Sequence, residues 1–380
     1  MRVKQIVCRN SLELASRLGD LKAINPGLLM VFGAVEFFTT NALSALLQKE
    51  FPDAKLIGCS TAGENTADGV DDGTCTITAV SFDQISLVQA TSRLTEMTDS
   101  FAAGERIGQQ LGAAQLKSVL VFGPGVNING SALVNGITSV IGTDIPITGG
   151  LAGDGGAFKQ TFTLGAEGVA DNAVVAVGLC GDALLFGHGS FGGWEAFGPA
   201  RKVTRCEGNV LYELDGEPAL EVYKRYLGDH AKDLPASGLL FPFAMLGEDH
   251  SAIGLIRTIL GVDELSGSLT LAGEINLDGY LKLMHASTDK LVNGAEAAAE
   301  AAAAMIQAKG ESLSILVSCV GRKLVMGGRV DEEVEAVGDV FGSNSLLTGF
   351  YSYGEISPFT PGASCKLHNQ TMTITCLGEA

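Results

Sequence analysis

The chain has 380 residues, of which 46% are hydrophobic, and it carries a formal net charge of −18. This length predicts two or three domains, and the apolar content argues against an intrinsically disordered chain. The acidic balance and the lack of Lys/Arg clusters argue against nucleic acid and anionic membrane surfaces as direct partners.

The start of the chain shows no pattern of a secretion signal or a membrane anchor. The segment Met1–Cys8 lacks the apolar core of a signal peptide. The run from Gly27 to Phe38 is apolar, but a spanning helix needs about 20 apolar residues, and Glu36 interrupts the run. None of the eight cysteines forms a Cys-x-x-Cys pair, so we expect reduced core thiols rather than a zinc site. These features predict a cytoplasmic protein without membrane insertion.

Two stretches of the first half, 27–90 and 118–187, have the same predicted order of elements. Apolar residues at helical spacing predict helices over Asn41–Phe51 and Gly130–Ile141. A short buried strand follows each helix, and a turn and further strands come after it. The shared order indicates an internal repeat.

The second half repeats this plan more loosely, after a less regular zone at about 188–245. Helices are predicted over Pro218–Leu227, Asn293–Lys309 and Asp331–Phe341, and a buried strand over Leu313–Cys319. The chain as a whole therefore predicts repeated strand-helix-strand-strand units.

The predicted fold class is α/β, with two related domains of mixed sheets built from these units. We place the domains at 1–205 and 206–380. No low-complexity linker separates them, and the least regular zone lies at about 188–245.

A glycine followed directly by an acid recurs at the ends of four predicted strands, and we call these places glycine–acid corners. They are Gly63–Glu64, Gly153–Asp154, Gly273–Glu274 and Gly354–Glu355. Glycine lets a ligand or another backbone approach closely, and strand ends are where sites on α/β sheets lie. One interpretation is a ligand cavity ringed by glycine backbone and carboxylates. The other is a set of bends that a repeated fold requires.

Four segments together resemble the FIST family, named for F-box and intracellular signal transduction proteins. They are Gly149–Asp154, Gly349–Glu355, Val210–Leu220 and Leu367–Thr373. The resemblance runs from about residue 25 to the C-terminus. It implies a sensory domain that binds a small ligand, with amino acids as the ligand first proposed, and that reports to a signalling partner. The stand-alone form is similar to the NosP-type proteins, which bind haem, sense nitric oxide and control a histidine kinase.

Two histidines are the candidate haem ligands that this subgroup resemblance calls for. His188 lies in a segment of aromatic residues and glycines, Phe186–Trp194, that could flank a porphyrin. His285 shares a strand face with Leu281 and Leu283, so we expect it to point inward. The match of Gly187–Gly192 to G-x-G-x-x-G is rejected, because no helical pattern follows it.

A non-haem ligand such as an amino acid needs a carboxylate for its ammonium group and a cation for its carboxylate. Glu355 and Glu64 are the candidates for the first task, and Arg322 is the candidate for the second. The alternative for Arg322 is an ion pair within the protein. The candidate ligand-binding residues are Gly58, Thr61, Glu64, Gly150, Asp154, Arg322, Tyr351, Tyr353, Glu355 and His368.

The sequence therefore predicts a sensory signal-transduction protein, with haem-based nitric oxide sensing and control of a partner histidine kinase as the sharper hypothesis. A non-haem module for a small metabolite is the alternative. We expect no catalytic activity, because no nucleophile and base stand at a telling spacing. Homo-oligomer formation is left open.

Overall fold

The computed structural model describes residues 1–112, 115–306, 310–359 and 362–380. The chain forms three consecutive units with one common order of elements, at residues 2–81, 86–180 and 184–379. A separate sheet is inserted into the third unit between its first strand and its first helix. Each unit runs strand, helix, strand, helix, strand, hairpin and closing strand.

Unit 1 begins with a strand and a helix that Asn10 caps, because its side-chain oxygen accepts from the backbone N–H groups of Leu12 and Glu13. The elements of unit 1 are β1 (Arg2–Cys8), α1 (Ser11–Lys22), β2 (Leu28–Gly33), α2 (Ala42–Glu50), β3 (Lys55–Ser60), β4 (Glu64–Thr66), β5 (Gly69–Asp71) and β6 (Cys75–Ser81).

Unit 2 repeats this order with longer helices, which Gly112 and Gly142 end at positive φ. Asn129 caps the second helix through the N–H of Ala132. The elements are β7 (Ser86–Arg93), α3 (Ser100–Leu111), β8 (Leu116–Gly123), α4 (Gly130–Ile141), β9 (Ile147–Leu151), β10 (Thr163–Gly165), β11 (Gly168–Ala170) and β12 (Ala173–Cys180).

Unit 3 begins with β13 (Leu184–Phe191) and continues after the insertion with the longest described helix, which Ser287 caps. The remaining elements are α6 (Thr288–Met305), β23 (Ser312–Cys319), α7 (Val320–Met326), α8 (Asp331–Phe341), β24 (Ser345–Ser352), β25 (Gly354–Pro358), β26 (Cys365–His368) and β27 (Met372–Glu379).

The inserted sheet has its own apolar core, in which Tyr223 and Phe243 pack with ring centroids 5.4 Å apart. Its elements are β14 (Glu195–Ala196), β15 (Arg201–Glu207), β16 (Val210–Leu214), β17 (Glu217–Pro218), α5 (Ala219–Leu227), β18 (Phe243–Leu246), β19 (Ala252–Arg257), β20 (Ile259–Asp263), β21 (Ser268–Leu271) and β22 (Tyr280–His285). All described strand pairs of this sheet are antiparallel.

The three units interlock because each sheet is completed by the hairpin of another unit. In each sheet the second and third strands of one unit run parallel, and the other pairs are antiparallel. The strand orders are β1-β6-β2-β3-β10-β11, β7-β12-β8-β9-β25-β26 and β13-β27-β23-β24-β4-β5. The hairpin of unit 2 therefore completes the sheet of unit 1, and the hairpin of unit 3 completes the sheet of unit 2. The hairpin of unit 1 completes the sheet of unit 3.

The inner faces of the three sheets share one apolar core, and helices cover the outer faces. At the centre, the ring of Phe350 lies 4.7 Å from that of Phe32 and 5.7 Å from that of Phe122. Such aromatic pairs each contribute about 0.5–1.5 kcal/mol beyond their burial. The closed arrangement holds the strand ends of all three units at fixed positions around the centre.

The predicted α/β class with repeated units is confirmed, and the predicted helix over Asp331–Phe341 has the bounds that the structure gives. The predicted helix over Asn293–Lys309 begins earlier, at Thr288, and its last three residues lie outside the described ones. The boundary at 205/206 stays a prediction; it lies at β15, and the third sheet joins strands from both sides of it.

The sequence suggested that the glycine–acid corner at Gly273–Glu274 belongs to the repeat, and this prediction is wrong. It follows β21 in the inserted sheet, whereas the other three corners follow β3, β9 and β24 of the three units. The apolar run before it resembles the other strands locally, which is why the pattern alone grouped all four. No helix in the described residues is long and apolar enough to cross a membrane.

Candidate functional site

The corners of the three units meet at the centre of the molecule and are joined by a cycle of backbone hydrogen bonds. The first corner donates to the third, the second to the first, and the third to the second. The bonds run from Ala62 N to Tyr351 O (2.8 Å), from Gly153 N to Ser60 O (2.8 Å) and from Tyr353 N to Leu151 O (3.1 Å). The cycle fixes the three corners relative to one another.

One glycine in each unit allows the parallel strands to approach closely before the corner. A Cβ at these positions would collide with a carbonyl oxygen of the neighbouring strand. The pairs are Gly58 with Val31 O, Gly149 with Val121 O and Gly349 with Leu316 O. A Cβ on Gly150 would lie 2.7 Å from the Val317 side chain and 2.9 Å from Gly354 O. The predicted ligand contacts Gly58 and Gly150 thus lie against protein atoms.

The carboxylates of Glu64 and Glu355 have matching hydrogen bonds within the protein. Glu64 accepts from the hydroxyl of Thr61 and, at Oε2, from the N–H (3.1 Å) and Oγ1 (2.7 Å) of Thr74. Burial raises the pKa of the Glu64 carboxyl, although the three hydrogen bonds oppose that rise. The carboxyl ties its corner to the start of β6, which agrees with the structural interpretation of the corners.

Glu355 repeats this arrangement in unit 3 and is fully buried. It accepts from Ser352 Oγ at 2.6 Å and from the N–H and Oγ1 of Thr371 at 3.2 and 3.0 Å. Burial raises its pKa to about 8, against the lowering effect of these hydrogen bonds and of Arg322. The repetition across two units indicates a structural role, in which each carboxyl connects its corner by hydrogen bonds to the start of the closing strand.

Asp154 occupies the same place in unit 2 but has different partners. It accepts from the Tyr353 hydroxyl and from the backbone N–H groups of Phe158 (2.7 Å), Lys159 (2.7 Å) and Gln160 (2.9 Å). Burial would raise its pKa, but these hydrogen bonds to the ionised form outweigh burial and lower it. The ring of Tyr353 stacks on Phe158 with centroids 4.0 Å apart. Asp154 therefore organises the loop that follows it.

Arg322 and Glu333 form an ion pair in which both side chains are 0% exposed. Arg322 Nη2 donates to Glu333 Oε2 at 2.8 Å and to the carbonyl of Leu291, also at 2.8 Å. Glu333 Oε1 accepts from the Tyr351 hydroxyl at 2.5 Å and from Ser318 Oγ at 2.9 Å. The structure thus places Arg322 and Tyr351 in one buried hydrogen-bond network. For Arg322 this is the ion pair within the protein that the sequence analysis gave as the alternative to ligand binding.

The histidine predictions have different outcomes in the structure. His188 on β13 is 4% exposed, burial lowers its pKa, and its Nδ1 has no hydrogen-bond partner among the described residues. His368 is 1% exposed, and its Nε2 lies 2.8 Å from the carbonyl oxygen of Ser357. The inward orientation expected for His285 is wrong. It is the last residue of β22, where it pairs with exposed Glu195 and is itself exposed.

A cavity of about 550 Å³ opens beside two of the corners. Corner residues Thr61, Glu64 and Asp154 of the predicted set line it, and α7 forms one wall. The complete lining is Ala34, Val35, Glu36, Thr61, Ala62, Gly63, Glu64, Asp72, Gly73, Asp154, Gly155, Gly156, Val320, Lys323, Leu324 and Gly327. We call it the central cavity. Its size lies within the range of roughly 300–1,000 Å³ that ligand pockets occupy.

Lys323 is the main cation of the central cavity, and the sequence did not single it out. Its Nζ donates to the carbonyl of Ala62 at 2.9 Å, pairs with Asp72 and lies 5.3 Å from the centroid of the Tyr351 ring. A Cβ on Gly63 would collide with Nζ at 2.5 Å, so the corner glycine makes room for the ammonium group. The side chain is 18% exposed, which leaves it accessible from the cavity.

The residues that the structure describes contain no cluster of His, Cys, Asp and Glu that could hold a metal ion. The cysteines are free thiols, and all but Cys206 are buried. Burial raises the pKa of the Cys376 thiol to about 11. These thiols agree with the expected core role and supply no nucleophile to the central cavity.

Comparison with known proteins identifies two family models in the chain. The FIST N domain matches residues 27–217 and the FIST C domain matches residues 219–358. A curated relative, the uncharacterized protein MJ1623 of Methanocaldococcus jannaschii, is 39% identical over 101 residues, or 25% of this chain. The chain spans about a fifth (19%) of the length of that relative.

Among solved structures, cyanuric acid hydrolase from A. caulinodans aligns with 99% of this chain and 99% of its own. The sequence identity is 9% and the TM-score is 0.37, a value at which the likeness does not define a common fold.

Proposed function

The chain belongs to the FIST family of signal-transduction sensor domains, and we propose that it is a sensory protein that binds a small polar molecule in the central cavity. The observation that carries this proposal is the position of Lys323. Its ammonium group stands in a cavity of about 550 Å³ at the point where the interlocked units meet. The resemblance to haem sensors supplies the competing proposal.

Lys323 offers the ligand a hydrogen-bond donor that no residue described by the structure uses. An ammonium group has three donors, and Ala62 O and Asp72 take two of them. The third is available to a carboxylate or carbonyl oxygen of the ligand. The Glu36 carboxylate on another wall can accept from a ligand amine or hydroxyl. A small molecule with an acidic group and a donor group, such as an amino acid, fits this arrangement.

The neighbour of Lys323 gives a path from the cavity to the inserted sheet. Arg322 donates to the carbonyls of Gly192 and Leu291, which stand on either side of the insertion. A ligand that shifts α7 at Lys323 would therefore also act on the residues that anchor the inserted sheet. We propose that this sheet presents the signal to a partner protein, for which a histidine kinase is the candidate that the resemblance implies.

Replacing Lys323 by Gln should weaken ligand binding by roughly tenfold to a hundredfold, because a charge-assisted hydrogen bond contributes about 1.5–3 kcal/mol. The measurement is a thermal-shift screen with the twenty amino acids, followed by titration calorimetry of those that raise the melting temperature. Lys117→Gln is the matched control, since Lys117 is an exposed lysine paired with Asp182. Equal affinity of wild type and Lys323→Gln for every binding compound would contradict the proposal.

Haem binding is the second candidate, and the unpartnered Nδ1 of His188 is the observation that favours it. Haem supplies an iron that binds nitric oxide, and a His ligand holds that iron. The residues do not fit the group here. His188 is 4% exposed and does not line the central cavity, and His285 lies exposed at a strand end.

We therefore expect hemin added to the purified protein to give no Soret band beyond that of free hemin. The measurement is an absorption spectrum before and after reduction and addition of nitric oxide. A sharp band that shifts with nitric oxide and is lost in His188→Ala would instead establish the haem proposal. His230→Ala serves as the control, since His230 lies on the inserted part of the chain.

An enzymatic role has weaker support than a sensory one. The central cavity contains a hydroxyl beside a carboxyl, at Thr61 and Glu64. Unit 3 repeats this pair as Ser352 and Glu355, where both residues are fully buried. Since the repeated pair closes a corner without any access for a substrate, we propose a structural role for both pairs and no catalysis.

A further inference from the structure

A second cavity, of about 240 Å³, lies between the inserted sheet and the second sheet of the core with its helix α4. It shares no lining residue with the central cavity, so it is a separate place on the molecule. Its walls come from β19 and the segment after β21 on one side, and from α4 and β26 on the other. We call it the insertion cavity. Its lining residues are Ser131, Val134, Asn135, Met245, Leu255, Arg257, Glu274, Ile275, Asn276, Lys366 and Leu367.

Arg257 is a buried cation in this cavity that no carboxylate of the described residues pairs with. The residue is 4% exposed. Its side-chain hydrogen bonds to described residues go to backbone carbonyls alone, and the nearby Glu274 carboxylate acts on it only through its charge, without an ion pair within 4.0 Å. Its Nε donates to Glu274 O at 3.0 Å and its Nη1 to Ile256 O at 3.1 Å. A guanidinium has five N–H donors, so about three remain without a partner among the described residues. Arg257 is not among the residues with fully enclosed, unpartnered side-chain atoms, so its unused N–H groups face the cavity, where a ligand can accept from them.

The glycine–acid corner of the inserted sheet holds this guanidinium in place. Gly273 has φ of +156°, and a Cβ there would lie 2.9 Å from Arg257 Nε. The absence of a side chain thus lets the guanidinium rest on the backbone of the corner, and the carbonyl of Glu274 accepts its Nε hydrogen. Burial lowers the Arg257 pKa to about 10, which leaves the group charged at neutral pH. The Arg257 guanidinium is therefore charged and held in one position, with its unused N–H groups available to a ligand.

We propose that the insertion cavity binds a small monocarboxylate, whose oxygens accept from the unpaired N–H groups of Arg257. Asn135 and Asn276 line the same cavity and can bond the rest of the ligand. The volume of about 240 Å³ is below that of typical drug-sized pockets, so the ligand has only a few carbon atoms. The lining carries two cations, Arg257 and Lys366, and one carboxylate, Glu274, and this balance matches the charge of a monoanion better than that of a dianion such as phosphate.

The bound carboxylate would join the inserted sheet to the rest of the protein. Arg257 belongs to β19 of that sheet, while Lys366 on the opposite wall belongs to β26 in the second sheet of the core. A ligand bound between Arg257 and Lys366 would contact both sheets at once and so strengthen the packing of the inserted sheet on the core. This site goes beyond the proposed central-cavity function and does not depend on it.

The test is titration calorimetry of the full chain with acetate, propanoate and lactate, and with inorganic phosphate, at constant ionic strength. We expect at least one carboxylate to bind, and we expect Arg257→Gln to raise its Kd at least tenfold. Arg225→Gln is the matched control, since Arg225 is an exposed arginine of the inserted part paired with Glu217. It should leave Kd unchanged.

A second variant guards against a folding effect of losing Arg257. Asn135→Trp fills the cavity from α4 and leaves both hydrogen bonds of Arg257 intact, so it should also abolish carboxylate binding. Circular dichroism and thermal melting confirm that each variant is folded. Failure of all three carboxylates to bind the wild type, unchanged affinity in both variants, or tighter binding of phosphate than of carboxylate would each overturn the proposal.

Discussion

Removing one member of the Arg322–Glu333 pair should lower the free energy of unfolding by about 3–5 kcal/mol, because the other member would stay buried without its counter-charge. Both side chains are 0% exposed. The pair also holds groups around it, since Tyr351 and Ser318 donate to Glu333 and the carbonyl of Leu291 accepts from Arg322. No solvent is available to replace these partners.

The measurement compares urea unfolding of wild type, Arg322→Met, Glu333→Gln and the double variant. Each single variant should lose several kcal/mol, while the double variant should lose less than the sum of the two. The control is Arg329→Met, because Arg329 pairs with Glu332 and Asp289 at exposed positions, where solvent screens the charges and the loss should be small. Single variants as stable as this control would show that the pair is not buried as the structure has it.

We expect ionisation of Glu355 to lower the free energy of unfolding as the pH rises toward about 8, and this is the second large effect. Burial raises its pKa from 4.5 to about 8 in the folded state. The folded protein therefore binds this proton more tightly than the unfolded chain. The resulting stabilisation is complete below about pH 4.5 and is lost as pH rises through about 8. By linkage the change amounts to at most about 3–5 kcal/mol.

Glu355→Gln should remove this part of the pH dependence, because an amide does not ionise. The amide oxygen can accept from the N–H and hydroxyl of Thr371, while the amide nitrogen donates to Ser352 Oγ. The variant should therefore be at least as stable as wild type at pH 8.5. Urea unfolding from pH 5 to 8.5 measures the effect, with Glu332→Gln at an exposed position as the control.

If Glu355→Gln shows the same fall in stability between pH 5 and 8.5 as wild type, Glu355 does not carry the raised pKa. Other buried carboxyls would then have to account for the fall. Glu64 is the first of these, because burial raises its pKa in the equivalent corner of unit 1.

Local periodicity predicts much of the secondary structure of this chain. The helical spacing over Asp331–Phe341 and the apolar run over Leu313–Cys319 give elements that the structure confirms at or near the same bounds. The shared order of 27–90 and 118–187 reflects units 1 and 2. These features are predictable because they depend on residues that are close together in the sequence.

The interlocking of the units could not be predicted from such patterns. The pairing of β10 with β3 places Thr163 opposite Cys59, about a hundred residues earlier in the chain. A hairpin has the same alternation of side chains whether it completes its own sheet or another one. The two predicted domains agree with the two family models, which match residues 27–217 and 219–358, but the sequence did not indicate that the sheets follow three interlocked units with an insertion.

Three of the ten residues predicted to bind a ligand line the central cavity, and its main cation was not among the predicted residues. The corners led to Thr61, Glu64 and Asp154, which do line the central cavity. Arg322 was chosen as the cation after the buried strand, yet successive residues of a helix point about 100° apart. On α7 this rotation turns Arg322 toward Glu333 and leaves Lys323 at the cavity. Which of Arg322 and Lys323 faces the cavity depends only on the rotational position of α7, which the sequence pattern does not give.

Hydrogen–deuterium exchange with and without a compound that raises the melting temperature tests the central claim most directly. If the central cavity is the sensory site, bound ligand should slow exchange in 61–64, 154–156 and 320–327 together, and Lys323→Gln should abolish this protection. Protection confined to the β13 segment around His188, or to the inserted sheet, with these three segments unchanged, would contradict it.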